Sequence, residues 1–391
     1  MSTSKFPKIS VIVPYYNPHP SLFEDAINSI FAQSYDNWEA IIVNDGSIQA
    51  NTEVLQKYIR GLNDSRCSII NLDKNYGPSV ARNKGIEAAK GEIITFLDTD
   101  DLHFPWYYQQ ISDHFFNHPN DLIIATPSYK HINSKNNKGI FLGSFEYKLV
   151  HDPTKVAFRP LQFPQILSED DSKILSFLAH RIALKLFING TPRIAVKKEV
   201  FNFIQFDEHF RTAEDSDLCL QILNNEDLLD KTKISTNPYY LYRIYSSRNR
   251  LTLNAKVVFQ NMGKLKTKYS DKKSIASKSL WFLQRRDEWK LNVIIYRHLC
   301  GQSPFKTLKD IFNSSKSLKG KFQNIVDVLK LIFKYQLITE CLGKDIKESE
   351  IVKNGHLNKT SELQVLFKEH LDRLTDKSSK PYAIKMYEAI F

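Results

Sequence analysis

Apolar residues in the first hundred positions follow two alternating rhythms. Short runs rich in β-branched residues, Lys8–Val13, Trp38–Val43, Cys67–Leu72 and Glu92–Leu97, read as buried strands. Between them, Leu22–Ala32, Thr52–Gly61 and Ser79–Ala89 repeat apolar residues at helical spacing. This alternation predicts right-handed crossovers and a mostly parallel sheet with helices on both faces. Every strand stops at a polar cluster: Tyr15–Asn17, Asn44–Ser47, Asp73–Gly77 and Asp98–Asp101. In such a sheet these clusters gather at the carboxyl ends of the strands, where ligands bind.

The pattern loosens after residue 120. Leu122–Pro127 and Thr191–Val196 read as further strands. The stretch of about 130–190 between them, with a helical section at Ser172–Ile188, is long for a connector and is expected to be an insert shaping a second-substrate site. Glu214–Asp215 then opens the apolar-periodic run that continues through Leu218–Leu223. Beyond Leu251 the spacing is helical, at Ser279–Leu299, Phe322–Phe333 and Ser361–Leu371. Residues 1–250 are therefore expected to form one α/β domain and 251–391 a mainly helical region.

Composition narrows the class. At 391 residues and 42% hydrophobic content the chain can bury a full core. It has no apolar run long enough to span a bilayer, and its first ten residues lack the apolar centre of an export signal, so a cytoplasmic location is expected. Cys67, Cys219, Cys300 and Cys341 are scattered without the paired spacing of a zinc site or a disulfide framework. Charge is uneven: residues 1–254 sum to −2 and residues 255–391 to +13. A basic tail can be a solvated helix face or can attract an anionic surface. Trp281, Phe282 and Trp289 beside Arg285, Arg286 and Lys290 keep peripheral contact with the inner face of the membrane open. The tail contains no recognised nucleic-acid module, and no nucleic-acid partner is assigned.

Several clusters carry candidate chemistry, each with a plainer alternative. Asp98 and Asp100, one residue apart on a turning backbone, could aim oxygens at a divalent cation and the phosphates it holds. The plainer reading has Asp101 capping a helix that enters at Leu102, with its neighbours as turn residues. Asp45 could accept a hydrogen bond from a base N–H while Gly46 and Ser47 let a flat ring approach; Asn44–Ser47 would equally make a type I turn. Asn75–Asn83 enters a helix whose N-terminus favours a diphosphate, with Arg82 one turn inside. Glu214–Asp215 could work on a proton, or could simply be an acidic first turn favoured by the helix dipole.

Taken together, Val11–Asn17, Gln33–Ser47, Asn75–Asn83, Phe96–Asp101 and Glu214–Asp215 resemble the successive motifs of family 2 glycosyltransferases with the GT-A fold. The resemblance covers about residues 6–250. It implies that Pro14, Tyr15 and Asn17 line a nucleotide pocket, that Asp45, Gly46 and Ser47 meet a uracil-type base, and that Arg82, Asp98 and Thr99 hold the rest of the donor. It also implies that Asp100 binds Mn²⁺ or Mg²⁺ on the diphosphate and that Asp215 is the catalytic base, with Glu214 orienting it. The implied activity is inverting transfer from a nucleotide-sugar donor, a UDP-sugar foremost and a dTDP-sugar by the same base edge, to a glycan or lipid-linked glycan. Capsule, lipopolysaccharide or O-antigen synthesis is the implied setting. One departure stands out. Where many members have Tyr-Arg-x-His, this chain has Tyr242–Tyr245, and a neutral phenol is a poor metal ligand. Neither His103 nor His209 is expected to replace that histidine. A nucleotidyltransferase is a rival, but Pro14–Asn17 is not the glycine-rich basic loop such an enzyme needs. A non-catalytic nucleotide-sugar binding protein is the other rival, and the intact Glu214–Asp215 argues against it.

Overall fold

The structure, a computed structural model, describes residues 6–126, 128–132, 140–143, 158–160, 193–235, 239–244, 261, 263–265, 267–270, 309, 360–374 and 378–390. Its first half is the expected alternation: β1 (Ile9–Tyr15), α1 (Pro20–Phe31), β2 (Trp38–Asp45), α2 (Gln49–Leu62), β3 (Cys67–Leu72), α3 (Pro78–Ala88) and β4 (Ile93–Phe96). Then follow β5 (Leu102–His103), α4 (Tyr107–Asn117), β6 (Ile123–Ala125), β7 (Ser128–Ile132), β8 (Ile140–Gly143), β9 (Phe158–Pro160) and β10 (Ile194–Lys197). The remaining elements are α5 (Glu214–Leu223), α6 (Glu226–Asp230), β11 (Thr232–Ser235), β12 (Tyr240–Ile244), α7 (Thr360–Arg373) and α8 (Lys380–Ile390).

The main sheet runs β3-β2-β1-β4-β10-β6-β11-β9. Its first four strands are mutually parallel, and β10 is antiparallel to both β4 and β6. The chain winds outward from β1 through β2 to β3, then returns to place β4 on the other side of β1. That reversal makes a crevice at the carboxyl ends of β1 and β4, the position where open α/β sheets bind ligands. Ile9, Val11, Val13 and Tyr15 point from β1 into the same core as Phe23, Ile27 and Ile30 of α1 and Tyr108, Ile111 and Phe115 of α4. On its other face β1 meets α3 at Gly85, where a Cβ would lie 2.4 Å from Ile12 Cγ2, so only glycine lets this helix sit so close.

A second sheet, ordered β5-β12-β7-β8, takes the place of the helix that the plainer reading of Asp101 put at Leu102. Leu102–His103 pairs antiparallel with Tyr240–Leu241, and the helix starts only at Tyr107. His103 is fully buried, its Nδ1 3.0 Å from the Tyr108 hydroxyl. The helix read at Ser361–Leu371 is present as α7. Leu363 and Phe367 of α7, with Ala383 and Met386 of α8, pack on Ala32, Leu102, Phe104 and Leu241, so these C-terminal helices complete the core of the first unit.

That compact unit consists of Met1–His131, Gly139–Arg243 and Leu357–Phe391. A second unit comprises Ile132–Lys138 and Ile244–His356. The helices read at Ser172–Ile188, Ser279–Leu299 and Phe322–Phe333, together with Tyr245 and the Trp281–Lys290 cluster, lie outside the described residues. Among the described residues no helix is long and apolar enough to cross a membrane.

Candidate active site

The backbone marks the site before any side chain does. Among the described residues five positions have φ in the left-handed region, and four of them, Asn17 (+46°), Gly46 (+64°), Gly77 (+105°) and Ala213 (+67°), lie on loops flanking the carboxyl edge of the sheet. Such conformations cost free energy for residues with a Cβ and collect where function needs them. The fifth, Asn63, merely caps α2.

The loops after β1 and β2 are knitted together. Ser47 Oγ accepts the Asn17 N–H at 3.1 Å, while Asn17 Oδ1 accepts from Ile48 N–H (2.9 Å) and Asn51 Nδ2 (3.2 Å). Pro14 is half-buried at the end of β1. The Tyr15 ring turns into the core, where its hydroxyl donates to the Asn51 carbonyl at 2.8 Å and burial pushes the phenol up to about 12. What Tyr15 brings to the edge is therefore its backbone, and the exposed ring there belongs to Tyr16, 51% exposed. Asp45 is 3% exposed and accepts Tyr76 N–H and Gly77 N–H, both at 2.8 Å. Burial raises its carboxyl above the ordinary value, opposed by those two amides. Two amides at the entrance of α3, which the sequence reading offered to a diphosphate, are thus engaged by this side chain. Each carboxylate oxygen keeps a second acceptor direction.

Helix α3 is the spine of the other wall. Ser79, Arg82 and Asn83 fall three and four residues apart and share one face. Ser79 Oγ donates to the Phe210 carbonyl at 2.8 Å, and Asn83 exchanges bonds with the Phe206 backbone at 2.9 and 3.2 Å. This fixes the 206–213 segment that delivers Glu214–Asp215 to the start of α5. Arg211 reaches back to Asn75, to its carbonyl at 3.2 Å. Sequence reading did not foresee these positioning roles, since their partners lie more than a hundred residues away.

Arg82 occupies the middle. Only 4% exposed, it donates from Nη1 to Glu214 Oε1 at 2.8 Å and from Nη2 to Asp98 Oδ1 at 2.9 Å, with its guanidinium 5.5 Å from the Phe206 ring. Burial works against its charge, but Asp98 and Glu214 outweigh that and hold it protonated. So the acid turn after β4 and the acid pair opening α5, more than a hundred residues apart in sequence, meet through one side chain. Asp98 is raised above its ordinary value, by burial first and by Asp100 among its neighbours. Asp215, half-buried and capped by the Ser216 N–H at 2.7 Å, is lifted by burial and by Glu214 to about 8.

Asp101 has a different job from the helix cap considered above. It is 1% exposed and accepts from the Tyr240 hydroxyl and, at 2.8 Å, from the Arg243 N–H, so it binds the turn to β12. Thr99 and Asp100 remain half-buried on the turn. Among the described residues no three His, Cys, Asp or Glu side chains gather in reach of one ion. The donor chemistry nevertheless fits a hard divalent cation, because Mg²⁺ and similar ions are commonly held by one or two carboxylates plus substrate phosphates. His209 is 89% exposed at its side chain and pairs with Asp207.

Residues 10–162 match the family described as Glycosyl transferase family 2. TuaG of Bacillus subtilis strain 168, a glycosyltransferase provisionally assigned to teichuronic acid biosynthesis, is 42% identical over 95 residues, 24% of this chain and 36% of its own length. WcaA of Escherichia coli K12, provisionally assigned to colanic acid biosynthesis, is 40% identical over 130 residues, 32% of this chain and 46% of its own. The chain thus spans under half the length of these two relatives. The crystal structure of S. aureus TarS 1-349 in complex with UDP-GlcNAc aligns with a TM-score of 0.48 at 17% identity, over 83% of this chain and 81% of that one.

Proposed function

From a chain whose N-terminal region belongs to glycosyl transferase family 2, we infer an inverting glycosyltransferase that moves a sugar from a nucleotide-diphosphate donor, foremost a UDP-sugar, to a hydroxyl of a cell-surface glycan under construction. The observation that carries this reading is the Arg82 bridge, which brings Asp215 beside the acid turn at the sheet's switch point. A base and a donor-binding turn on opposite sides of one buried guanidinium suit a single in-line displacement.

Asp215 takes the proton of the acceptor hydroxyl. As that oxygen forms a bond to the anomeric carbon, the bond from carbon to diphosphate oxygen breaks and its electron pair leaves on the nucleoside diphosphate. One displacement inverts the anomeric centre. Glu214, fastened to Arg82, keeps the start of α5 and so Asp215 in place. Asp100, with Asp98 beside it, would hold Mn²⁺ or Mg²⁺, whose chemistry is to neutralise charge on the departing diphosphate. Asn17, Asp45, Gly46 and Ser47 shape the base end. Names of relatives that refer to teichuronic and colanic acid biosynthesis support a polysaccharide acceptor.

The test is a panel of UDP-, dTDP- and GDP-sugars with Mn²⁺, following nucleotide release with and without glycan acceptors. Acceptor-stimulated UDP release is expected, and Asp215→Asn should lose transfer by about 10²- to 10⁴-fold while still binding UDP. Donor binding without turnover on any acceptor would replace this reading with a nucleotide-sugar binding protein. Near-normal transfer by Asp215→Asn would remove it as the base.

A further inference from the structure

We propose that Arg243 is a positioning residue for donor binding, clamping the backbone of the Asp98–Asp101 turn to the start of α1. The proposal rests on the donor reading above.

Arg243 is 9% exposed and spends every arm of its guanidinium on one junction. Nε donates to the carbonyl of Asp100 at 2.6 Å. Nη1 donates to Asp25 Oδ2 at 2.7 Å and Nη2 to the Leu22 carbonyl at 2.9 Å, both on the first turns of α1. Its own N–H holds Asp101 Oδ1 at 2.8 Å, while the Tyr240 hydroxyl, on the same strand, holds the other oxygen. β12 thus grips the turn twice, through the buried carboxylate of Asp101 and through the carbonyl of Asp100.

The placement matters because α1 follows directly on the Pro14–Asn17 loop. The loops after β1 and β4 flank the switch point from either side, and Arg243 ties them together behind the ligand-facing edge. The planar, five-donor guanidinium is suited to this because it fixes direction as well as distance at several acceptors; a lysine would reach one of them. With the Asp100 carbonyl held at 2.6 Å, the backbone that carries its carboxylate is fixed. Groups that orient a metal ligand in this way are commonly worth about 10- to 100-fold in metal affinity or activity when removed.

The test is calorimetric titration of UDP into the full chain, with Mn²⁺ and with EDTA, for the parent, Arg243→Gln, Arg243→Lys, Asp100→Ala and the Arg243→Gln/Asp100→Ala pair, with circular dichroism to confirm folding. Arg243→Gln is expected to weaken Mn²⁺-dependent UDP binding by about 10-fold or more and to leave binding in EDTA unchanged, with Arg243→Lys between it and the parent. Added to Asp100→Ala, it should cost nothing further, because it acts through that turn. Asp25→Asn loosens only the α1 anchor and should give a smaller loss of the same kind, which keeps the test open if Arg243→Gln fails to fold. Parent-like binding in a folded Arg243→Gln, an equal loss with and without Mn²⁺, or additive losses in the pair would overturn the clamp. A parent that shows no Mn²⁺-dependent UDP binding would instead overturn the donor reading, and the clamp with it, before any variant is compared.

Discussion

Replacing Arg82 with methionine tests the central bridge, because methionine keeps most of the side-chain length against Phe206 and deletes only the charge and its donors. In the folded chain Arg82 is 5% exposed at its side chain, Glu214 13% and Asp98 31%. Breaking a buried ion pair by removing one partner costs about 3–5 kcal/mol, and the exposure of Asp98 discounts its share. A loss of about 3 kcal/mol at pH 8 is therefore expected, which for a unit of this size lowers the unfolding midpoint by roughly 5–10 °C. The loss has a pH signature. Without the guanidinium, Asp98 loses the charge that opposes its burial, and its carboxyl rises further in the folded state. A carboxyl raised on folding binds more protons folded than unfolded, so stability falls as pH rises from its unfolded value through its folded one. In the parent Asp98 is already raised by burial, but Arg82 opposes it. The gap between parent and variant should thus be small near pH 5 and full at pH 8. Scanning calorimetry at both pH values measures it, and Glu214→Gln added to Arg82→Met should restore part of the loss. A midpoint within 2 °C of the parent at pH 8, or a gap of equal size at both pH values, would refute the account.

Three further expectations come from the same geometry. Because Asp215 must be ionised to act as base and is held near 8, turnover should climb with pH to about 8 and then level, being roughly 100-fold below its plateau at pH 6; a profile already flat from pH 6 would show that Asp215 is not the titrating base. Gly46→Ala puts a Cβ 2.2 Å from the Lys74 carbonyl carbon at a φ of +64°. Relief requires moving the loop held by Asp45, so about 3 kcal/mol or more should be lost as its charge-assisted bonds give way, measured by urea denaturation, and a loss under about 1 kcal/mol would mean that the loop yields freely. Ala213→Gly removes a Cβ from a left-handed position and should raise the urea midpoint, by at most about 1 kcal/mol since glycine also gains entropy unfolded; a lower midpoint would show that Ala213 is not strained.

The parallel half of the fold was legible because its signals are local. Runs of β-branched residues and helical spacing are read within a dozen positions, and the strand Cys67–Leu72 is found where the sequence put it. Tyr15 was legible too, by an alternation passed over: Val11, Val13 and Tyr15 share a face of β1, so a buried Val13 implies a buried Tyr15. The Leu102 segment was misread because its partner strand lies about 140 residues downstream, and no local pattern announces a two-residue strand. For the same reason Ser79 and Asn83 read as ordinary helix residues, although Phe206 and Phe210 give them their work. Arg243 carries no local signal of its role, because Asp100, Asp25 and Leu22, which it bonds, lie more than 140 residues upstream.

What the acids share explains why they sit together. Asp101 is satisfied by Tyr240 and Arg243 and serves the framework. Asp98, Asp100, Glu214 and Asp215 instead crowd one edge, with a single guanidinium bonded to two of them. The raised carboxyls of Asp98 and Asp215 express that crowding: burial and like charge together disfavour the ionised forms. A sequence selected for stability alone would thin this cluster, whereas a site waiting for a cation gains from it when the cation arrives. The same imbalance fixes an order of events. A nucleoside diphosphate approaching alone would add negative charge to an edge where, among the described residues, four carboxyls gather around the Arg82 guanidinium. A divalent cation approaching alone would meet carboxylates but lack the phosphate oxygens that complete its shell. Neither should bind well without the other, so UDP affinity should rise with Mn²⁺ and Mn²⁺ affinity with UDP by the same factor, as linkage requires.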